Sequence, residues 1–223
     1  MQPQDREAFI RANTKVLPVP LVPEISLHLA EESLPIWRKT EEELGEIGLP
    51  PPFWAFAWAG GQALARHVLD NADLVRGRDV LDLAAGSGLV SVAALKAGAA
   101  RVLAADIDPM AGAAVRINAP LNGVEAEVTT LDLLGAPPGS FDTILVGDIF
   151  YEKALATRAL AWLRQAQRQG SCVLIGDPGR SYLPRGDLHK LAEYCVPVTR
   201  ELEDAEIKRT GVWALQAGML TKP

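Results

Sequence analysis

From Asp79 onward the chain alternates short apolar, β-rich runs with stretches of helical character. The runs are DVLDLA, RVLAAD, EAEVTT, FDTILVG and SCVLIG, separated by helices predicted at 87–98, 108–121 and 152–168. This alternation predicts an α/β fold with a parallel, doubly wound sheet and right-handed crossovers. The strands at 80–84 and 143–147 lack polar alternation, as central strands covered on both faces do. After SCVLIG the pattern changes to a loop, GDPGRSYLPRG, then a helix near 185–193 and two β-like stretches, 194–202 and 210–218. Those two predict an antiparallel C-terminal hairpin, which completes a mostly parallel sheet of seven strands.

The segment ahead of the sheet reads differently. It carries VLPVPLVPE, a charged stretch KTEEELGEIG and then LPPPFWAFAWAGGQALARHVLDN. Pro50, Pro51 and Pro52 bar a helix and force an extended approach, while Gly60 and Gly61 permit close backbone contact before a helix of about 62–70. Residues 1–58 are expected to form a helical N-terminal extension packed on the core, with 13–50 placed to act as a lid, and residues 59–223 the main domain. Glu41, Glu42 and Glu43 read as a solvated helix face.

The 223 residues suit one α/β domain with such an extension. Neither the composition, 48% hydrophobic and 22% charged, nor any apolar run suggests a bilayer span. The N-terminus MQPQDREAFIRANTKV has Asp5 and Glu7 and no apolar core of a leader, which predicts a cytoplasmic, bacterial protein. A net charge of −6 and a pI near 5.2 disfavour a nucleic-acid partner, whose phosphates call for a basic footprint. Cys172 and Cys195 stand apart from any Cys or His at metal-ligand spacing and read as core residues, so no metal site is expected. His28, His67 and His189 read as surface or capping side chains.

The candidate chemistry begins at Val80-Leu81-Asp82-Leu83-Ala84-Ala85-Gly86-Ser87-Gly88-Leu89, a strand, a glycine turn and a helix start. Glycines there let the backbone approach a ligand at the carboxyl edge of the sheet. The loop alone admits NAD as well as S-adenosylmethionine. A dinucleotide fingerprint would place a third glycine at position 91, where Ser91 stands, and would rarely put an acid inside the first strand as Asp82 does. Asp106 ends the second strand, where a carboxylate can accept both hydroxyls of a ribose. Asp132 follows the third strand, placed to accept from an adenine amino group, and Asp148 ends the fourth. Carboxylates converging on one crevice suit a ligand with a sulfonium and an ammonium and repel phosphates. Asp108, followed by Pro109, reads as a helix N-cap instead.

Further segments are more specific: PFWAFAWAGGQALARHVLDN, RGRDVLDLAAGSG, AADIDPMAGAAVRINAPLNG, LVGDIFYE and LIGDPGR. Through them residues 50–216 resemble the seven-β-strand protein lysine methyltransferases, and among these the electron transfer flavoprotein beta-subunit lysine methyltransferases. The resemblance implies a Rossmann-like fold, S-adenosylmethionine as methyl donor with S-adenosylhomocysteine as product, and a monomer acting on that flavoprotein subunit, with a ribosomal protein as a second target. The family's Asp-x-x-Tyr motif falls on Asp148-Ile149-Phe150-Tyr151, which makes Asp148 and Tyr151 the catalytic candidates. Trp58, Gln62, Asp82, Gly86, Ser87, Gly88, Asp106, Ile107, Asp132 and Leu133 would bind the cofactor, and Trp54 and Phe150 the substrate. Trp54 and Trp58 also have the simpler reading of packing the N-terminal segment onto the sheet. Ala59 departs from the proline common after the tryptophan in that family.

Two other functions stay open. A small-molecule N-methyltransferase of the nicotinamide type would accept a free heterocycle. A noncatalytic module would hold the cofactor as a structural element, against which stands the intact Asp148–Tyr151 motif.

Overall fold

The computed structural model describes residues 2–30, 51–198 and 206–216. Within them the predicted alternation is present as β3 (Asp79–Leu83), α3 (Leu89–Lys96), β4 (Arg101–Ala105), α4 (Pro109–Leu121), β5 (Glu127–Thr129), β6 (Thr143–Gly147), α5 (Lys153–Arg168) and β7 (Cys172–Asp177). Two further strands, β8 (Leu188–Pro197) and β9 (Ile207–Leu215), finish a seven-stranded sheet of order β5-β4-β3-β6-β7-β9-β8. The strands from β5 to β7 are mutually parallel, whereas β9 runs antiparallel to both β7 and β8.

Side chains of β3 alternate between two buried layers, which is why the run shows no polar period. Leu81, with Ile144, Val146 and Ile175, packs on Trp162 and Leu163 of α5. Val80, with Leu145 and Leu174, packs on Leu64 and Val68 of the helix α2 (Ala59–Asp70) and on Val90 and Ala94 of α3. Each fully buried aliphatic side chain of this kind contributes ~1.5–3 kcal/mol.

The helix expected near 185–193 is not formed. A single 3-10 turn at Arg185–Asp187 leads into β8, which pairs with β9 from Leu188↔Leu215 to Pro197↔Ile207. The segment LHKLAEY is rich in helix formers, but intrinsic propensity is a weak preference that the ladder bonds and the burial of Val196 override. The N-terminal segment is helical at α1 (Pro3–Ala12) and then forms a hairpin of β1 (Lys15–Val19) and β2 (Val22–Leu29), which VLPVPLVPE did not disclose. A two-stranded ribbon consists only of edge strands, so Pro18 and Pro23 are tolerated in it. Val19, Val22, Ile25 and Leu27 of the hairpin pack on Ala65, Leu89, Val92 and Ala119. The acidic run Glu41–Glu43 lies outside the described residues.

Two of the histidines are interior. His28 Nδ1 lies 3.1 Å from Thr14 Oγ1 and His67 Nδ1 3.1 Å from Tyr194 Oη, and burial makes both rings less basic than usual. Cys195 is exposed on β8 and Cys172 half-buried, so neither is a full core residue. A strand at the sheet edge turns alternate residues to solvent. Among the described residues no cluster of potential metal ligands occurs, and no helix is long and apolar enough to cross a membrane.

Candidate active site

The strand order reverses at β3, with β4 on one side and β6 on the other, and a crevice is expected outside the carboxyl ends of such strands. A cavity of about 590 Å³ opens there. Its walls come from the residues that follow β3 (Ala84, Gly86), β4 (Asp106, Ile107), β5 (Leu131, Asp132, Leu133, Leu134), β6 (Asp148, Ile149, Tyr151) and β7 (Arg180). Phe53, Trp54 and Trp58, ahead of α2, close the remaining side.

One half of the cavity is built on the glycine loop. Gly86 and Gly88 have φ of +51° and +81°, the left-handed region that glycine adopts without strain. The Gly86 N–H donates to Asp106 Oδ2 at 2.9 Å and the Asp108 N–H to Asp106 Oδ1 at 3.0 Å. Burial pushes the Asp106 carboxyl above the usual range, and those two amides partly offset the shift. Asp108 caps α4 as expected, accepting from Met110 N at 2.8 Å. Asp82 is buried below the loop, where its Oδ2 accepts from Ser91 N at 2.8 Å and Ser91 Oγ at 2.6 Å. Desolvation pushes its carboxyl up to about 7. Ser91 thus stands where a dinucleotide fingerprint has glycine because it is the partner of Asp82.

Asp82 and Ser87 border a separate hollow of about 50 Å³ beside the main cavity rather than the cavity itself. Asp132 does reach the cavity, but its carboxylate is engaged by Arg158 Nη2 at 2.6 Å and by Leu134 N at 3.1 Å. The guanidinium holds that carboxyl below its usual range. Ile107 and Leu131, each 70% exposed, give this half an apolar lip. Gln62 does not line the cavity. Its Oε1 accepts from Leu21 N at 3.1 Å and its Nε2 donates to Ala57 O at 2.7 Å, so its amide ties α2 to the hairpin and to the preceding turn.

The other half centres on Asp148, whose backbone is left-handed at φ +53° and whose N–H donates to Gly176 O at 3.0 Å. One carboxylate oxygen accepts from Gly61 N at 2.9 Å and the other from Arg180 Nη2 at 2.9 Å. Burial pushes the carboxyl up to about 6 even with that guanidinium beside it. The approach of α2 depends on Gly60: a Cβ there would stand 2.2 Å from Gly176 O and 2.5 Å from Asp148 Oδ2. Ala59 is the first residue of α2, the position that also accommodates proline. Tyr151 is half-exposed at the mouth, 5.7 Å between ring centres from Phe53, which meets Trp58 edge-on at 5.9 Å. Trp58 Nε1 donates to Phe53 O at 2.8 Å.

Two expected substrate contacts need revision. Phe150 is fully buried in the layer beneath β6 and does not reach the cavity, because the turn that brings Tyr151 out directs its neighbour inward. Trp54 contributes to the wall yet is only 2% exposed, packed with Ile10, Met110 and Ile117. The packing reading of this tryptophan is therefore the better one. Residues that the motifs did not single out are Phe53, Arg158, Arg180 and Asn118. Asn118 accepts from His28 N at 2.8 Å and donates to Ser87 O at 2.9 Å, joining the hairpin to the glycine loop. Arg180 was visible only as the last letter of GDPGR.

The family model for ribosomal protein L11 methyltransferase matches residues 63–156. The chain is 38% identical over 214 residues to the electron transfer flavoprotein beta subunit lysine methyltransferase of Rattus norvegicus, covering 93% of this chain and 83% of that protein. With the protein of the same name from Xenopus laevis the identity is 40% over 227 residues, covering 97% and 91%. A solved structure of ribosomal protein L11 methylase from Lactobacillus delbrueckii subsp. bulgaricus shares the fold with a TM-score of 0.51 and 23% identity, over 72% of this chain and 80% of that one. The expectation of a cytoplasmic bacterial protein is overturned by the two vertebrate relatives. The acidic N-terminus that prompted it reports neither source nor compartment.

Proposed function

The chain belongs to the electron transfer flavoprotein beta subunit lysine methyltransferase family, and from that premise we propose that it transfers methyl groups from S-adenosylmethionine to lysine side chains of that flavoprotein subunit. A ribosomal protein is a second target in this reading, as the family model at residues 63–156 suggests. The enzyme acts as a monomer on protein, its net charge of −6 disfavouring nucleic acid. The observation that carries the reading is one cavity with two differently built halves, Asp106 on one side and Asp148 with Tyr151 on the other.

The residues fit the cofactor. Each Asp106 oxygen accepts one backbone N–H and keeps a further lone pair for a ribose hydroxyl. Gly86, Ser87 and Gly88 leave room for the methionine portion, while Ile107, Asp132 and Leu133 flank the adenine and Trp58 covers the centre. Asp82 holds this loop through Ser91, and Gln62 holds the turn before α2; both act at one remove. S-adenosylmethionine, when bound, supplies an electrophilic methyl group on a sulfonium.

The acceptor lysine enters past Tyr151 and Phe53 and is oriented by Asp148. Alignment of a neutral amine behind the methyl group is the main demand, and positioning can account for ~7–11 kcal/mol of the barrier. As positive charge develops on the nitrogen, the Asp148 carboxylate stabilises it. Tyr151 and Phe53 add cation–π attraction of ~0.5–2 kcal/mol. The N-terminal extension, residues 1–58, completes the wall through Phe53, Trp54 and Trp58. Mass spectrometry of the recombinant flavoprotein beta subunit after incubation with enzyme and S-adenosylmethionine, beside an Asp148→Ala control, tests the proposal. Increments of one methyl mass on lysine are expected, absent in the control; no increment with the wild type overturns the substrate assignment. Methylation of a free heterocycle with the protein untouched would instead favour the small-molecule alternative.

A further inference from the structure

An acidic group facing the acceptor lysine creates a chemical conflict. A carboxylate favours the ammonium form of a neighbouring amine, whereas only the neutral amine attacks a methyl group. Asp148 alone would hold the proton on the lysine that must lose it. The structure places a cation beside this carboxylate. Arg180 Nη2 is 2.9 Å from Asp148 Oδ1, in a pair of which the arginine side chain is 21% and the aspartate 12% exposed. Its guanidinium also lies 5.7 Å from the centre of the Trp58 ring, and it lines the same cavity.

We propose that Arg180 is a charge-balancing positioning residue of the lysine pocket: by neutralising Asp148 it makes the pocket select the neutral amine over the ammonium. This rests on the lysine methyltransferase reading. The charged and polar groups that face Asp148 come from several packed elements. The first turn of α2 carries no acidic residue and offers the Gly61 N–H to the second Asp148 oxygen, so nothing from that side restores negative charge. On the strand beside it, Asp177 Oδ1 accepts from the N–H groups of Gly179 and Arg180 at 2.6 and 2.7 Å, fixing the turn that carries Arg180. Burial pushes the Asp177 carboxyl up, and both Arg180 and Arg185 oppose that shift; the charge of Asp177 also raises the Asp148 carboxyl, so Arg180 faces two acids. Across the cavity, Asp132 is already paired with Arg158, and Asp106 is bonded to two amides. Tyr151 and Glu152 follow Asp148 in the chain; burial and that glutamate raise the tyrosine hydroxyl, which stays neutral.

The carboxylate still accepts a hydrogen bond from the amine and orients it. With Arg180 in place, the charge that Asp148 presents to an arriving ammonium is partly offset, so its proton leaves to water before transfer, while the carboxylate still faces the charge that develops as the methyl group moves. Without it, Asp148 and the ammonium would form a self-sufficient ion pair.

The test compares wild type with Arg180→Gln and Arg180→Lys in two ways. In the first, the pH dependence of kcat for methyl transfer to the flavoprotein subunit, which reports the lysine bound in the pocket, should move about one unit toward alkali in the Gln variant. That is about a tenfold loss near pH 7.5, recovered at higher pH, with the Lys variant within about threefold of wild type. In the second, n-butylammonium binding measured by calorimetry near pH 8 should be about tenfold tighter in the Gln variant than in wild type. An unchanged pH profile, equal ammonium affinity, or a Lys variant that behaves like the Gln variant overturns the proposal. If wild type transfers no methyl to the subunit, the substrate reading fails by itself, and the ammonium measurement still decides the role of Arg180.

Discussion

The two halves of the cavity handle buried negative charge in opposite ways. Around the glycine loop, Asp82 and Asp106 are satisfied by backbone amides and one hydroxyl, with no basic side chain among the described residues paired to either. Across the cavity, Asp148 is satisfied by one amide and one guanidinium. Neutral donors leave a carboxylate free to accept further neutral donors, as ribose hydroxyls are, whereas a guanidinium offsets the carboxylate's charge, so that Asp148 can orient an amine without holding a proton on it. The same residue type at the end of a parallel strand therefore serves two chemistries, set by what faces it.

The contrast can be broken most severely at Asp148. Asp148→Ala should lower the rate of methyl transfer ~10²- to 10³-fold while S-adenosylmethionine affinity, measured by calorimetry, stays nearly constant; equal losses in both would erase the distinction between the halves. Gly60→Ala should be nearly as damaging by a different route. Its Cβ would collide with Gly176 O and the Asp148 carboxylate, so thermal unfolding should show destabilisation of roughly 3 kcal/mol together with lost transfer. In the other half, Asp106→Ala should weaken cofactor binding ~100-fold or more, since two hydrogen bonds to a charged acceptor are lost. Unchanged binding would remove its ribose role.

Asp82 offers a pH signature. Its carboxyl is raised to about 7 from an ordinary 3.8, so the folded state binds the proton more tightly than the unfolded one. The associated stability is present below about pH 4 and is lost as pH rises toward about 7. Asp82→Asn should flatten that decline in melting temperature across the same window; an identical slope would show that Asp82 is not the group responsible. The smallest effect is expected at Asp132→Ala. This side chain is half-exposed and already paired with Arg158, so cofactor affinity should fall by less than about fivefold. A larger loss would make Asp132 a principal adenine contact.

How much of this was legible in the chain differs by element. The strands β3, β4, β6 and β7 were readable because a parallel strand buried on both faces must be apolar throughout. Asp108 was readable as a cap because the next residue is proline. The local pattern of β8 points to a helix, whereas Leu188–Tyr194 satisfies its backbone through β9, a partner distant in sequence. The family resemblance implies substrate contacts at Phe150 and Trp54, but a motif read in one dimension does not say where an aromatic side chain is aimed. Whether its ring points to cavity or core depends on the turn that carries it. Arg180 carries no local signal for the same reason, since Asp148 lies 32 positions away.

The sequence by itself determined the alternating architecture, the order of carboxylates at the strand ends and the family to which those motifs belong, because periodicity, glycine spacing and motif identity are local properties of the chain. Only the tertiary structure decided which carboxylate meets a guanidinium and which meets amides. It likewise decided that Gln62 and Asp82 act from behind the cavity wall and that Asn118 joins the hairpin to the loop. Charge compensation and burial depend on distances across the sheet, and these exist only once β3, β6 and β7 lie side by side.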